Sequence, residues 1–390
     1  MRRDRFNPVF SGLGTTIFTV MSALAVEHDA INLGQGFPDE DGPEAIREAA
    51  AAALRNGPNQ YPPMQGVLEL RRAIAGHSRE FYGLDFDPLS EIVVTSGATE
   101  ALGDCIMGLV APGDEAVVIE PCYDSYRPML EAMGAKIRTI RLAPPDFRLT
   151  EAALAAVFSP DTKVILVNSP LNPIGRVLDQ GELELLASFL TRYDVYAICD
   201  EVYEHLVFDG RKHVPLISLP GMRERCVRVG SAGKMFSLTG WKIGWVCGSR
   251  TLIEVITKAH QFNTFTTSPA LQLGIAEGLR HHMDFALANT SALQTKRNQI
   301  AQALQAAGFD VLKSEGTYFI TASTRKIANE PDTVFCKRMT REARVAAIPL
   351  SVFYGDDPPS DLVRFAFCKM PAIIDEAGGR LARHFASHPR

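Results

Sequence analysis

Short apolar runs rich in β-branched residues recur between residues 92 and 229 of this chain, and stretches with helical spacing separate several of them. Strands of this kind have no polar face to turn to water, so both faces of the sheet that they form must be covered. Their alternation with helices predicts an α/β domain with a mostly parallel sheet. The strand candidates are residues 92–95, 116–119, 164–167, 195–198 and 227–229, and the helix candidates include residues 100–110 and 182–192.

The C-terminal part of the chain has a different pattern. A long polar helix candidate at residues 291–307 precedes a strand candidate at 317–320, a basic helix candidate at 333–344 and a strand candidate at 362–367. We interpret this part as a second, smaller α/β domain and expect the N-terminal arm to pack with it. The predicted division is a large domain over residues 41–285 and a small domain over residues 1–40 and 286–390, joined by a helical region from about 250 to 305.

The composition is that of an ordinary globular protein, with 46% apolar residues, 22% charged residues and a net charge of −5. No positive excess favours nucleic acid or an anionic membrane surface. The charged first residues are not followed by a recognisable signal peptide, and no run predicts a membrane span. The seven cysteines are scattered without metal-ligand spacing. We therefore expect a cytoplasmic protein with reduced, buried thiols, no metal, no nucleic-acid partner and no membrane contact.

Lys234 is the only charged residue between positions 229 and 241, and small residues flank it. Loss of hydration disfavours an ammonium group, so a lysine in such surroundings becomes available as a nucleophile, for example toward a carbonyl cofactor. A lysine in a glycine- and serine-rich loop is more often structural. A phosphate-binding P-loop is the other interpretation, but the pattern would need glycine where Arg228 stands and serine or threonine where Met235 stands.

Three further strand ends carry polar or small residues, and ligands in open α/β sheets lie at the carboxyl ends of strands. After the first strand, Gly97, Ala98 and Thr99 open a helix whose free N–H groups suit an anion, although a plain helix cap fits equally well. After the third strand, Asn172 stands between prolines, which a tight turn also explains. After the fourth strand, Asp200 is a buried acid that needs a cation, either structural or a protonated ring nitrogen, and Tyr203 follows it.

An anion cradle, a fixed asparagine, a buried acid and an isolated lysine, in this order, together describe a site for pyridoxal 5'-phosphate. The phosphate would bind the helix N-terminus with help from Ser231 and Lys242, and Asp200 would keep the pyridine nitrogen protonated so that the ring accepts electrons. Asn172 and Tyr203 would bond the phenolic oxygen. Lys234 would form the Schiff base with the cofactor.

The order and wording of these motifs resemble the class I/II aminotransferases of fold type I, in the branch of the kynurenine, glutamine K and methionine aminotransferases. The resemblance runs from about Asn7 to the C-terminus. It rests on residues 32–39 (NLGQGFPD), 59–61 (NQY), 96–101 (SGATEA), 172–175 (NPIG), 200–203 (DEVY), 231–234 (SAGK) and 364–367 (RFAF).

The resemblance implies a large domain with a mostly parallel seven-stranded sheet, a smaller α/β domain and further site residues. Tyr61 would reach the cofactor phosphate of the opposite subunit, which makes the active unit a homodimer, and Tyr123 would stack on the pyridine ring. Gly36, Asn172 and Arg364 would hold the substrate α-carboxylate. Arg364 also fits this role by itself because it interrupts an apolar strand, although a buried salt bridge would explain it too. Many relatives have arginine in place of Lys242, which puts the strength of phosphate binding in doubt.

Three functions remain open at this point. The first is ping-pong transfer of an amino group from an α-amino acid to a 2-oxo acid, with Lys234 as the base. The second is β-elimination by a pyridoxal-phosphate lyase of the same fold, as in cysteine-conjugate lyases. The third is a non-catalytic sensor, which would need a DNA-binding domain before the resemblance begins.

The substrate class depends on the pocket. Residues 15–18 and 262–266 are the expected pocket segments, and neither contains a lysine or an arginine. This favours neutral, aromatic or sulfur-containing amino acids over an aspartate-preferring enzyme, because a distal carboxylate would be buried without a cation.

Overall fold

The structure is a computed structural model that describes residues 6–57 and 59–387. Residue 58 and the outer limits of the predicted small domain, residues 1–5 and 388–390, lie outside this part. The helices are α1 (Pro8–Gly12), α2 (Ile17–Glu27), α3 (Glu44–Asn56), α4 (Leu68–Tyr82), α5 (Ala98–Leu109), α6 (Tyr126–Ala132), α7 (Glu151–Ala155), α8 (Gln180–Tyr193), α9 (Ala232–Met235), α10 (Arg250–Asn263), α11 (Pro269–His281), α12 (Met283–Ala306), α13 (Asp332–Glu342) and α14 (Pro371–Ser387). The strands are β1 (Ile31–Asn32), β2 (Ile92–Thr95), β3 (Glu115–Glu120), β4 (Lys136–Arg141), β5 (Thr162–Asn168), β6 (Tyr196–Asp200), β7 (Cys226–Ser231), β8 (Gly244–Gly248), β9 (Asp310–Val311), β10 (Phe319–Ser323), β11 (Val345–Ala346), β12 (Ile348–Pro349) and β13 (Leu362–Ala366).

The main sheet has seven strands in the order β2-β8-β7-β6-β5-β3-β4. Strand β8 runs antiparallel to both of its neighbours, and the other pairs are parallel. The middle strands are buried along their length because helices cover the sheet, as their unbroken apolar sequences predict. The α/β architecture with a mostly parallel seven-stranded sheet is confirmed.

The C-terminal part contains an antiparallel sheet in the order β12-β13-β10-β9. The N-terminal segment contacts this part, because β1 pairs with β11 and α2 packs on α13. The predicted division at residues 41 and 286 stays a prediction. A consequence of this topology is that Arg364 belongs to β13 of this antiparallel sheet, whereas Lys234 follows β7 of the main sheet.

The segment Pro8–Glu27 is more apolar than the sequence analysis expects, with a mean hydropathy of 1.7. Among the described residues, it is the one stretch long and apolar enough to cross a membrane. This evidence is weak, because signal sequences and core helices of soluble proteins have the same length and composition. The structure breaks this stretch into α1 and α2. Helix α2 buries Met21, Leu24 and Ala25.

All seven cysteines are buried and free of disulfide bonds. This agrees with the expected reduced thiols.

Candidate active site

A cavity of about 300 Å³ opens at the carboxyl ends of β2, β5, β6 and β7. Strands β5, β6 and β7 are parallel neighbours, so Asn168, Asp200 and Ser231 end at the same edge of the sheet. The cavity brings together all the site residues that the sequence analysis selects except Tyr61. These are Gly36, Gly97, Ala98, Thr99, Tyr123, Asn172, Asp200, Tyr203, Ser231, Lys234, Lys242 and Arg364.

The N-terminus of α5 forms one wall of the cavity. Gly97 precedes the helix with a φ of 84°, a conformation that favours glycine. Gly244 begins β8 between the ends of β2 and β7, and a β-carbon added there would lie 2.6 Å from the carbonyl carbon of Gly97. A glycine at 244 therefore lets the helix start approach the sheet. The free N–H groups at this helix end face the cavity as potential anion donors.

Lys242 and Ser231 complete this wall with a cation and a hydroxyl group. A β-carbon added at Gly97 would lie 3.3 Å from Nζ of Lys242, so the lysine side chain packs directly on the helix start. The Ser231 side chain is buried at the end of β7. The N–H groups at the start of α5, the Lys242 amine and the Ser231 hydroxyl together form a set of donors that fits a phosphate group.

Asp200 forms the floor of the cavity at the end of β6 and is 6% exposed. Its Oδ2 accepts a hydrogen bond of 2.5 Å from the hydroxyl of Tyr126, and its backbone carbonyl accepts one of 2.8 Å from Nδ2 of Asn168. Burial raises the pKa of Asp200 to about 6, against the opposing effects of the Tyr126 bond and of Lys234. A cationic group bound beside Asp200 would favour its ionised form.

Lys234 lies in the short helix α9, directly after β7. Burial lowers the pKa of its amine to about 8, as its apolar surroundings in the sequence predict. Its Nζ donates a hydrogen bond of 2.9 Å to the hydroxyl of Tyr318 and lies 5.8 Å from the ring centre of Tyr203. The amine is therefore partly neutral near pH 8 and adjoins the cavity in which Asp200 lies.

Arg364 is 1% exposed and forms the opposite wall. Its two terminal nitrogens donate hydrogen bonds of 2.9 Å to Oδ1 of Asn172 and to the carbonyl of Gly34. Its Nε has no hydrogen-bond partner, and none of the ion pairs found within residues 6–57 and 59–387 involves this guanidinium. A buried salt bridge therefore does not explain Arg364. A buried cation with an unused donor in a cavity fits an external carboxylate.

Tyr61 does not line the cavity. Its side chain is 84% exposed, and its ring contacts Phe265 at 5.5 Å between ring centres. Of the two expected pocket segments, residues 15–18 contribute Phe18 to the cavity, whereas residues 262–266 do not line it. Within a single chain, Tyr61 and residues 262–266 thus form a surface apart from the cavity.

Several residues of the site are not predicted from the sequence. Tyr126 follows Tyr123 by three residues at a helix start, and this spacing is the only signal for it. Asn168 stands directly at a strand end, where the rule applied to Asp200 also selects it. Tyr318 comes from the C-terminal part of the chain, and no local pattern connects it with Lys234. Asp124, Gln35 and Phe319 line the cavity as well.

These residues fit pyridoxal phosphate, since a buried acid, an amine of lowered pKa and a phosphate-type donor set meet in one cavity. Fold and site therefore define a class of α/β enzymes in which a carbonyl cofactor is attached to a lysine that follows a strand of the main sheet.

Comparison with known proteins gives the family. Residues 28–377 match the family model of class I and II aminotransferases. The methionine aminotransferase of Escherichia coli is 41% identical over 369 residues, covering 95% of this chain and 96% of that one. Kynurenine–oxoglutarate transaminase 1 of mouse is 34% identical over 404 residues, covering 95% of each chain. The solved N-succinyldiaminopimelate aminotransferase of Mycobacterium tuberculosis is 43% identical, with a TM-score of 0.94 over 97% of this chain and 99% of that one.

The chain belongs to the class I and II aminotransferases. It is a fold-type I, pyridoxal-phosphate-dependent enzyme that transfers amino groups between amino acids and 2-oxo acids. The expected class of enzyme, its cofactor and its branch are confirmed.

Proposed function

We propose that Lys234 carries the cofactor and acts as the base, and that Arg364 binds the α-carboxylate of an amino acid with an uncharged side chain. The observation that carries this proposal is the unpartnered Nε of the buried Arg364 in the same cavity as the amine of Lys234. An α-carboxylate held by Arg364 brings the α-carbon of the substrate toward Lys234.

The remaining residues of the cavity would hold the cofactor. Its phosphate would accept hydrogen bonds from the backbone of residues 97–99, from Ser231 and from Lys242. Its protonated pyridine nitrogen would pair with Asp200, and its ring would stack on Tyr123. Tyr203 and the free Nδ2 of Asn172 would donate to its phenolic oxygen. Bound in this way, pyridoxal phosphate supplies an aldehyde for Lys234 and a ring that accepts electrons from the α-carbon.

The protein's own groups would then perform three tasks. Arg364, Gly36 and Asn172 orient the substrate by its carboxylate. Once its amine is free, Lys234 would take the proton from the α-carbon of the substrate. It would then give a proton to the carbon of the cofactor that receives the amino group. Asp200 stays ionised and balances the positive charge of the ring nitrogen, because an unpaired buried cation would be costly.

The charges of the cavity support a neutral side chain on the substrate. Among the cavity-lining residues of the described chain, the cations are Lys234, Lys242 and Arg364, and each has a task in this scheme. Of the two acids that line the cavity, Asp200 has a task as well, so the remaining charge is that of Asp124, an exposed residue. A distal carboxylate would meet this negative charge without a free cation, whereas methionine, glutamine, aromatic amino acids or kynurenine would not.

We also propose that the active unit is a homodimer in which Tyr61 donates to the cofactor phosphate of the neighbouring subunit. The supporting observation is that Tyr61 is 84% exposed and its ring contacts Phe265, which is also exposed, as is Phe262 three residues earlier in the chain. Exposed aromatic side chains are characteristic of protein interfaces. A cytoplasmic location stays a prediction.

An amino-donor panel tests the proposed substrate class. Methionine, glutamine, phenylalanine, kynurenine and aspartate are compared with several 2-oxo acids, and donors are ranked by kcat/KM. We expect aspartate to rank last, and Asp124→Asn to narrow the gap between aspartate and methionine. A wild-type enzyme that prefers aspartate would reject the proposed substrate class, while the roles of Lys234 and Asp200 would stand. Formation of pyruvate and ammonia from cysteine conjugates without a 2-oxo acid would instead support the lyase.

A further inference from the structure

Tyr318 contacts the amine of Lys234 from outside the set of residues that hold the cofactor. It precedes β10 and is 1% exposed. Its ring packs edge-on against Tyr203 at 5.2 Å and against Phe319 at 4.8 Å between ring centres. These contacts restrict the ring, so the position of its hydroxyl is set by packing rather than by solvent.

Two hydrogen bonds fix the direction of the Tyr318 hydroxyl. Its O–H donates to the carbonyl of Gly36 at 2.6 Å, since a carbonyl can only accept. Its oxygen is therefore left to accept, and the Nζ of Lys234 lies at 2.9 Å from it. This is the one side-chain hydrogen bond that Lys234 makes to the rest of the described chain.

The close packing of Gly36 restricts the hydrogen bond between the Tyr318 hydroxyl and the Gly36 carbonyl. A β-carbon added at Gly36 would lie 2.5 Å from Cζ of Phe319 and 3.0 Å from a ring carbon of Tyr318. The backbone of Gly36 thus lies directly on these two rings, and residue 36 is also a wall of the cavity. The Tyr318 hydroxyl connects the segment that would bind the substrate carboxylate with the amine that would act as the base.

We propose that Tyr318 is a positioning residue that holds the free amine of Lys234 toward the cavity and stabilises its ammonium form after proton transfer. This inference rests on the proposed role of Lys234 as the base. When the amine takes a proton from the α-carbon, the C–H bond breaks, the nitrogen lone pair forms the new N–H bond, and one of the three ammonium hydrogens is donated to the Tyr318 oxygen. Tyr318 keeps its own proton throughout, because it donates that proton to Gly36.

Other groups also act on the Lys234 amine. Burial has the largest effect and lowers its pKa, and Lys242 and Arg364 act in the same direction. Cys368 and Asp200 act in the opposite direction. Burial raises the pKa of Tyr318 well above its usual range, so the phenol stays neutral and acts as an acceptor without becoming a second base.

The test compares Tyr318→Phe with Tyr354→Phe. Tyr354 is also buried, and its hydroxyl has no hydrogen-bond partner in the part of the chain that the structure describes, so the control removes the same atom without affecting Lys234. The full-length protein is freed of cofactor, Lys234 is acetylated at a series of pH values, and the labelled peptide is quantified by mass spectrometry. Because the ammonium loses an acceptor, we expect Tyr318→Phe to lower the pKa of Lys234 by about one unit. Tyr354→Phe should leave it unchanged.

A second readout uses the cofactor-loaded enzyme. A misplaced base should lower kcat about tenfold while the KM for the amino donor changes little. An unchanged pKa of Lys234 in Tyr318→Phe would overturn the proposal, and so would a rise in KM without a fall in kcat. Should this variant not fold, 3-fluorotyrosine at position 318 keeps the shape and weakens the acceptor, and the pKa of Lys234 should fall in the same direction. The labelling readout needs no turnover, so it remains valid even if the proposed substrate class is wrong.

Discussion

At the scale of single residues, Asp200 shows how burial and chemistry interact in this site. The carboxyl group ends a buried strand, and burial raises its pKa to about 6. The hydroxyl of Tyr126 at 2.5 Å counteracts this by stabilising the ionised form. The sequence predicts the burial, because Asp200 follows an apolar run. It does not predict Tyr126, because that contact depends on how α6 packs against the sheet.

Asp200→Asn should fold like the wild type and lose most of its turnover. An amide cannot balance a cationic ring nitrogen, and we expect kcat to fall at least about a hundredfold, the scale on which a preorganised electrostatic contact acts. Tyr126→Phe serves as the graded comparison, because it keeps the carboxylate and removes only its hydrogen bond. Steady-state kinetics with a good donor measures both variants. Turnover of Asp200→Asn within a few fold of the wild type would mean that the acid is structural.

At the scale of secondary-structure elements, His260 connects three segments near the anion cradle. It lies on α10 and is fully buried. Its Nδ1 lies 2.8 Å from Oε1 of Glu100 and 3.2 Å from Oδ2 of Asp104, both on α5, and its Nε2 lies 3.1 Å from the carbonyl of Met64. Burial lowers the pKa of His260, but its bonds to Asp104 and Glu100 outweigh this and raise it to about 9. The imidazolium thus connects α5, whose N-terminus would bind the phosphate, with the segment that follows Tyr61.

His260→Ala should destabilise the protein by about 3 kcal/mol near pH 6, because it leaves two buried carboxylates without their cation. The pKa of this histidine is higher in the folded state than in the unfolded state, so its contribution is complete below about pH 6.5 and is lost as the pH rises through 9. Urea unfolding at pH 6 and pH 9.5 measures the effect, with the exposed His281→Ala as control. A difference between wild type and His260→Ala that does not narrow at pH 9.5 would contradict a charged His260.

The strands of the main sheet are predictable from sequence where burial of apolar side chains alone determines the residue pattern. The apolar runs of β2, β3, β5, β6 and β7 are found from sequence because burial on both faces leaves only one pattern. Strand β4 is missed because it is an edge strand, in which Lys136, Arg138 and Arg141 face water and protect the edge. Strand β8 is missed because two glycines and a tryptophan occupy positions where close approach matters more than β propensity. The small residues 97–99 are correctly predicted to open a helix, and α5 begins at Ala98, two residues before the helix candidate at residues 100–110.

At the scale of the whole molecule, the site draws on segments that lie far apart in the chain. Arg364 on β13 donates to Asn172 and Gly34, and Tyr318 joins Gly36 to Lys234. The sequence predicts Gly36 only through the resemblance to the family, whereas Arg364 is also indicated by the apolar strand that it interrupts. No periodicity connects either residue with Lys234. The same resemblance assigns Tyr61 to a neighbouring subunit, a prediction that needs a test on the assembled protein.

Mixing two inactive variants tests this assembly. If Tyr61 serves the neighbouring site, a dimer of one Tyr61→Ala chain and one Lys234→Ala chain contains one site with both defects and one intact site. After unfolding and refolding of an equal mixture, half of the dimers are mixed, so about a quarter of the wild-type activity should return. Each variant refolded alone is the control. Failure of the mixture to exceed its components, in a sample that sedimentation shows to be dimeric, would place Tyr61 outside the neighbouring site.

The role of Lys234 is tested most directly by covalent trapping. The protein is incubated with pyridoxal phosphate, reduced with borohydride, digested and mapped by mass spectrometry. We predict a single stoichiometric adduct on Lys234, and none at this position in Lys234→Ala, whose fold is checked by circular dichroism. Lys242 lies in the same cavity and is the internal comparison. A stoichiometric adduct on Lys242, or trapping that survives in Lys234→Ala, would contradict the account.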